Sequence, residues 1–201
     1  MGVAKYLPAV AGFLMEEELN TMGKLLSSPT HPFACLIGGA KVSDKMGLVQ
    51  NMLKRIDILL IGGGMAATFI KAQEYETGHS LVEKDKLNLA KKLLREAKAW
   101  KVPLLLPLDV VVAEEIKAEA STKVVPATSI PSGSYLVDIG PETIELFSNK
   151  LRKCRTVMWN GPLGIYEIPQ FAQGTKSENF HRKPLNAITV IGGGSSAEIV
   201  Q

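Results

Sequence analysis

Three apolar runs in this chain end in glycines: Leu36-Ile37-Gly38-Gly39-Ala40-Lys41, Leu60-Ile61-Gly62-Gly63-Gly64-Met65 and Val190-Ile191-Gly192-Gly193-Gly194-Ser195. Each reads as a strand running into a glycine turn and then a helix. Glycine at such a turn lets the backbone come close to a ligand, and the helix that follows offers unpaired N–H groups and partial positive charge to an anion. The chemistry that suits this pattern is phosphate binding, with a nucleotide as the first candidate. A single such turn would serve equally well to turn a corner in any α/β protein.

Lys41 and Lys45 follow the first turn, four residues apart at the expected start of a helix, with Ser43 and Asp44 between them. Phosphoryl transfer needs fixed positive charge around oxygens that gain negative charge, and lysines near a helix N-terminus supply it. The same pair would also begin an ordinary solvated helix. No glycine run ends in Gly-Lys-Ser/Thr, so the P-loop pattern is absent. The run Met158-Trp159-Asn160-Gly161-Pro162-Leu163-Gly164-Ile165-Tyr166-Glu167 reads as a strand ending in a rigid loop. Asn160 stands at its mouth, and Glu167 is placed to accept hydrogen bonds from a ribose, as acids beyond a strand do. The alternative is a plain turn with an exposed glutamate. His31, His79 and His181 lie in separate loop-like stretches and read as surface residues, and no metal-ligand spacing occurs. Ser195 and Ser196 read as an N-cap and phosphate ligands rather than nucleophiles, because no G-x-S-x-G elbow surrounds them.

The elements that must carry these residues alternate. β-rich runs fall near 33–37, 57–61, 103–107, 156–159 and 187–191, which predicts a three-layer, Rossmann-like α/β/α domain with a mostly parallel sheet. Met46, Val49, Leu53 and Ile56 recur at helical spacing. A longer helix is expected from Asp85 to Trp100, with Ala90, Leu93, Leu94 and Ala97 inward. Another begins at Pro141 and buries Ile144, Phe147 and Leu151. Residues 114–135, with their prolines and few periodic apolar positions, read as an excursion over the surface. Residues 175–186 make a poor crossover helix, broken by Pro184, in which Phe180 and Leu185 are the candidates to face a core. The chain stops at Gln201, one or two turns into the helix expected after the third glycine turn.

At 201 residues and 46% apolar composition the chain can bury a core without disulfides or metals. Its formal charge of +3 is dispersed, which does not indicate nucleic acid. Cys35 falls in a predicted buried strand and Cys154 after a helix, and both read as reduced thiols of a cytosol-like compartment. No signal peptide or membrane-length apolar run is visible. The expected location is the cytoplasm, or a plastid if a transit segment has been removed.

Gly38-Gly39-Ala40-Lys41-Val42-Ser43-Asp44-Lys45, Gly62-Gly63-Gly64-Met65-Ala66 and Trp159-Asn160-Gly161-Pro162 closely resemble phosphoglycerate kinase. So do Ala9-Val10-Ala11-Gly12-Phe13-Leu14, Leu105 to Val111, Asp138-Ile139-Gly140-Pro141 and Phe171-Ala172-Gln173-Gly174-Thr175. The resemblance covers essentially residues 1–201, in order, as one C-terminal nucleotide-binding domain of that two-domain family. It implies an adenine nucleotide, Mg-ADP or Mg-ATP, as ligand, and reversible phosphoryl transfer between 1,3-bisphosphoglycerate and ADP. Lys41 would then be the catalytic residue that steadies the transferring phosphoryl, and Lys45 would contact nucleotide phosphates. Gly39, Gly62, Gly63, Asn160, Pro162 and Gly164 would shape the cleft, Glu167 would hold the ribose, and Gly193, Gly194, Ser195 and Ser196 would wrap the phosphates.

Four departures accompany the resemblance. The resemblance implies that the phosphoglycerate-binding N-terminal domain and the family's final segment fall outside residues 1–201, that Ser195 stands where the family has a metal-binding aspartate, and that Leu136 stands where it has a glycine beside the base. The expectation is therefore a monomeric nucleotide domain that does not catalyse alone and that a separate N-terminal domain would complete. The rival expectation is a degenerate chain without nucleotide binding, or an interaction module.

Overall fold

In the computed structural model the described residues are 27–177 and 187–193, with isolated positions 12, 13, 15–17, 20, 23 and 180. The chain divides into two compact units, 1–30 and 31–201. The elements that follow belong to the second.

Strands β1 (Phe33–Ile37), β2 (Ile58–Ile61), β3 (Leu104–Leu105), β7 (Thr156–Asn160) and β8 (Ile188–Gly192) form one parallel sheet in the order β3-β2-β1-β7-β8. Helices α1 (Met46–Met52), α2 (Met65–Ala72) and α3 (Leu87–Ala99) lie between its first three strands in sequence, and α4 (Pro141–Leu151) precedes β7. The central strands β1 and β2 are buried at every position, as a parallel sheet covered on both faces requires. One face packs Ala34, Leu36, Ile58, Leu60, Val157 and Trp159 against Phe147 and Leu151 of α4. Strand alternation leaves Phe33, Cys35, Ile37, Leu59 and Ile61 for the other. This agrees with the three-layer fold expected, and of the positions expected inward Ala90, Leu93 and Ala97 of α3 and Phe147 and Leu151 of α4 are buried, whereas Leu94 and Ile144 are half-buried. Cys35 and Cys154 are both free and buried.

A second sheet was not expected. Strands β4 (Asp109–Ala113), β5 (Thr122–Pro126) and β6 (Tyr135–Ile139) pair antiparallel in the order β5-β4-β6, with an irregularity between Val111 and Val112. Residues 114–135 are therefore more than a surface excursion. β5 is an edge strand held by its ladder to β4, and its mostly exposed side chains give no burial pattern to read. In the 103–107 run only Leu104 and Leu105 join the parallel sheet, between two prolines that lack the N–H a ladder needs. The region 175–186 begins with a short helix, α5 (Gln173–Lys176), and Phe180 packs edge-on against Trp159 with ring centroids 6.0 Å apart. Leu185 and Pro184 lie outside the described residues. No described helix is long and apolar enough to cross a membrane.

Candidate functional site

Three turns meet at the carboxyl ends of β1, β2 and β7, where open parallel sheets place their ligands. The Gly39 N–H donates to the Pro162 carbonyl at 2.7 Å, the Gly63 N–H to that of Leu163 at 3.1 Å, and the Met65 N–H to that of Gly39 at 2.9 Å. A Cβ on Gly38 would lie 2.1 Å from the Pro162 carbonyl oxygen. At Gly63, where φ is +64°, it would lie 2.7 Å from the Gly39 nitrogen. The glycines thus let three backbones cross with no side chain between them. Their first role differs from the anion contact expected of them: the amides of Gly38, Gly39, Gly62 and Gly63 are already taken by carbonyls of Asn160, Pro162, Ile37 and Leu163.

The first turn does not run straight into a helix. Residues 41–45 form a loop, α1 begins at Met46, and Lys45 is its N-cap. Lys41 is exposed on this loop, whereas Val42 is fully buried and anchors it. The Lys45 ammonium donates to Oδ1 of Asn160 at the end of β7. Asn160 is in turn crowded by Gly192, where a Cβ would lie 2.9 Å from the asparagine Nδ2. Fixed positive charge is thereby held beside Gly39, whose own Cβ position is 3.8 Å from the Lys45 Cε.

Next to this charge lies a cavity of about 500 Å³. Gly39, Ala40, Gly64, Pro162 and Gly164 form one wall, and Leu81, Ile116, Tyr135, Leu136 and Ile165 make the remainder largely apolar. Glu167, itself exposed, contributes a carboxylate to the lining. His79, expected only at the surface, also lines it and meets the Tyr135 ring edge-on at 5.5 Å. The Leu136 amide donates to the Ser80 hydroxyl at 2.8 Å, which pins that wall. His31, exposed as expected, holds Asp57 through Nδ1 at 2.6 Å, at the opposite ends of β1 and β2 from these turns.

Behind Gly164 sits Asp138, fully buried on β6, a residue of the Asp138-Ile139-Gly140-Pro141 stretch for which no role was expected. Its carboxylate accepts the amides of Ile139 at 2.8 Å and Gly174 at 2.7 Å. Burial pushes its pKa up to about 7, against the opposing pull of those amides and that of Gln173. A Cβ on Gly164 would lie 2.3 Å from its Oδ1, so the carboxyl supports the cavity wall from behind. Its sequence signals are its place in the Asp138-Ile139-Gly140-Pro141 stretch and an acid within an otherwise apolar strand.

The structure therefore brings Gly39, Pro162, Gly164 and Glu167 into the cavity lining and joins Lys45 to Asn160 beside it. Gly62 and Gly63 lie in the backbone crossing rather than the lining, and Lys41 remains exposed on its loop. Gly193 follows β8 with φ +91°. Gly194, Ser195 and Ser196 lie outside the described residues.

A family model described as phosphoglycerate kinase matches residues 1–201. The chain belongs to the phosphoglycerate kinase family. Among its relatives, a phosphoglycerate kinase of Pelotomaculum thermopropionicum is 53% identical over 196 residues, covering 98% of this chain and 50% of that protein. The cytosolic phosphoglycerate kinase of Nicotiana tabacum is 50% identical over 204 residues, covering 100% and 51%. The solved phosphoglycerate kinase of Coxiella burnetii superposes with a TM-score of 0.90 at 36% identity, over 99% of this chain and 52% of that one. The chain spans about half the length of the curated relatives it matches.

Proposed function

We propose that this chain is the nucleotide-binding half of a phosphoglycerate kinase and takes ADP or ATP in the cleft between the glycine turns and the second sheet. The observation that carries the reading is the Lys45–Asn160 pair held beside Gly39, next to an apolar cavity whose lining includes Glu167. The apolar walls suit a base, Glu167 accepts from ribose hydroxyls, and Lys45 and Lys41 supply charge to the phosphates. The family reaction moves a phosphoryl group between 1,3-bisphosphoglycerate and ADP. The acid substrate needs a second, phosphoglycerate-binding domain, so the chain alone is expected to bind nucleotide and not to turn it over. Magnesium enters with the nucleotide as part of the substrate. A cytoplasmic monomer is the accompanying expectation.

The test is calorimetric titration of the folded chain with ADP and ATP, with and without magnesium. A Kd of about 1 mM or tighter, worth about 4 kcal/mol, supports the proposal. A folded chain that binds neither nucleotide overturns it in favour of an interaction module, with the glycine turns serving the backbone crossing alone. Steady ATP formation from 1,3-bisphosphoglycerate by the chain alone would overturn the expected inactivity.

A further inference from the structure

We propose that Glu83 is a positioning residue for the phosphate-side lysines: its carboxylate clamps Ser43, and with it the loop between Lys41 and Lys45, to helix α2. The inference rests on the nucleotide reading above.

Both donors of Ser43 go to this one carboxylate. The Ser43 amide donates to Oε2 at 3.0 Å and its hydroxyl to Oε1 at 2.6 Å, across 40 residues of sequence. Two parallel bonds to a charged acceptor fix orientation as well as distance. The Glu83 amide donates in turn to the Thr68 hydroxyl at 3.1 Å, and Thr68 is buried within α2. The second glycine turn, which opens α2, is thus tied to the loop that follows the first. Without this tie the loop would hang on buried Val42 and on the Lys45–Asn160 bond at its far end, the Lys45 N–H to Val42 carbonyl bond at 3.0 Å being internal to the loop.

Among the described residues Glu83 forms no ion pair with Lys41 or Lys45, so the clamp orders the loop without spending its positive charge. Partial burial raises the Glu83 pKa, but the hydroxyl and amide of Ser43 and the amide of Val42 outweigh it and hold the carboxyl below the usual range. The clamp is therefore ionised at neutral pH. Because the loop carries Lys41, whose role in this reading concerns the terminal phosphoryl group, the clamp matters more for a triphosphate than for a diphosphate.

The experiment compares the full chain with Glu83→Gln, Glu83→Asp and Ser43→Ala, reading amide hydrogen exchange across residues 40–46 and calorimetric affinity for ADP and ATP. Glutamine keeps the size but turns an N–H group toward a donor of Ser43. Exchange of the loop is expected to rise about tenfold while peptides of β1 and α2 are unchanged, and ATP affinity to fall about tenfold with a smaller loss for ADP. Glu83→Asp restores part of both effects, and Ser43→Ala, a milder change at an exposed site, gives the same pattern at smaller size. Native-like loop exchange in Glu83→Gln overturns the clamp. Equal losses for ADP and ATP reduce Glu83 to a structural role and overturn its link to Lys41. If the native chain binds neither nucleotide, the functional reading falls and the proposed role in lysine positioning falls with it, whereas loop exchange still decides whether the clamp exists.

Discussion

Lys45 and Asn160, 115 residues apart in sequence, are joined by a hydrogen bond from the lysine ammonium to the asparagine Oδ1. One lies at the start of α1 and the other at the end of β7, so the bond fixes a charge between the loop after β1 and the end of its neighbouring strand. Asn160→Ala removes the acceptor and frees the ammonium to sample other rotamers. ADP affinity is expected to fall about tenfold, close to 1.4 kcal/mol, with a small change in melting temperature. Gly192→Ala, by pushing on the Asn160 amide, is expected to reproduce part of that loss. An unchanged ADP isotherm for Asn160→Ala would separate this pair from the binding site.

The crossing of the glycine turns predicts a different kind of defect. Gly38→Ala would place a methyl 2.1 Å from the Pro162 carbonyl, and Gly63→Ala would do the same at 2.7 Å from Gly39 in a left-handed conformation. Neither neighbour is a side chain that can swing away. Each variant is expected to lose roughly 2–4 kcal/mol in urea denaturation, whereas Gly47→Ala, with open space around it on α1, is expected to be neutral or stabilising.

A pH dependence follows from Asp138. Its carboxyl titrates near 7 in the folded chain and near the ordinary aspartate value when unfolded, so between those two values the folded state binds the extra proton. Stability therefore falls as pH rises across that window, by up to about 1.4 kcal/mol per pH unit. Asp57 and Glu83, held below the usual range, act oppositely and only at the acid end: their contributions are present above the unfolded value and fade as pH drops through the folded one. Asp138→Asn should abolish the slope between pH 5 and 7 in denaturation curves while leaving the acid limb. A slope that persists in the variant would assign it to another group.

Asp109 caps α4 from outside the helix. Its Oδ1 accepts the Thr143 amide at 2.7 Å and its Oδ2 that of Glu142 at 3.1 Å, replacing the side-chain cap that Gly140 cannot provide. Asp109→Ala is expected to cost about 1–3 kcal/mol, and Gly140→Ala to be destabilising as well, since its methyl would lie 2.3 Å from the same carboxylate. Thermal melts of the two variants and their double mutant should be non-additive, because both act on one contact.

How far the sequence discloses this molecule depends on whether the cause is local. The buried runs of β1, β2 and β7 and the helical spacing of Leu93, Ala97, Phe147 and Leu151 are local, and they place the parallel sheet and its cover. β5 carries no burial alternation, because pairing with β4 rather than a core holds it, and it was not foreseen. The Ser43–Glu83 bond spans 40 residues and the His31–Asp57 pair 26; neither leaves a trace in spacing. The glycines are the instructive case. A turn that admits a phosphate and a turn that admits another backbone use the same residue, and only the carbonyls of Pro162 and Leu163 tell them apart.

The chain has two tryptophans, and their surroundings differ sharply. Trp100 is 56% exposed near Lys54, whereas Trp159 is 2% exposed, donates its indole N–H to the Gly161 carbonyl at 2.8 Å and lies against Phe180. The buried indole is thus wired to the first residue of the loop that lines the cavity. Its emission should be blue-shifted relative to that of Trp100, so the short-wavelength part of the intrinsic fluorescence is an optical gauge of the cleft that needs no label.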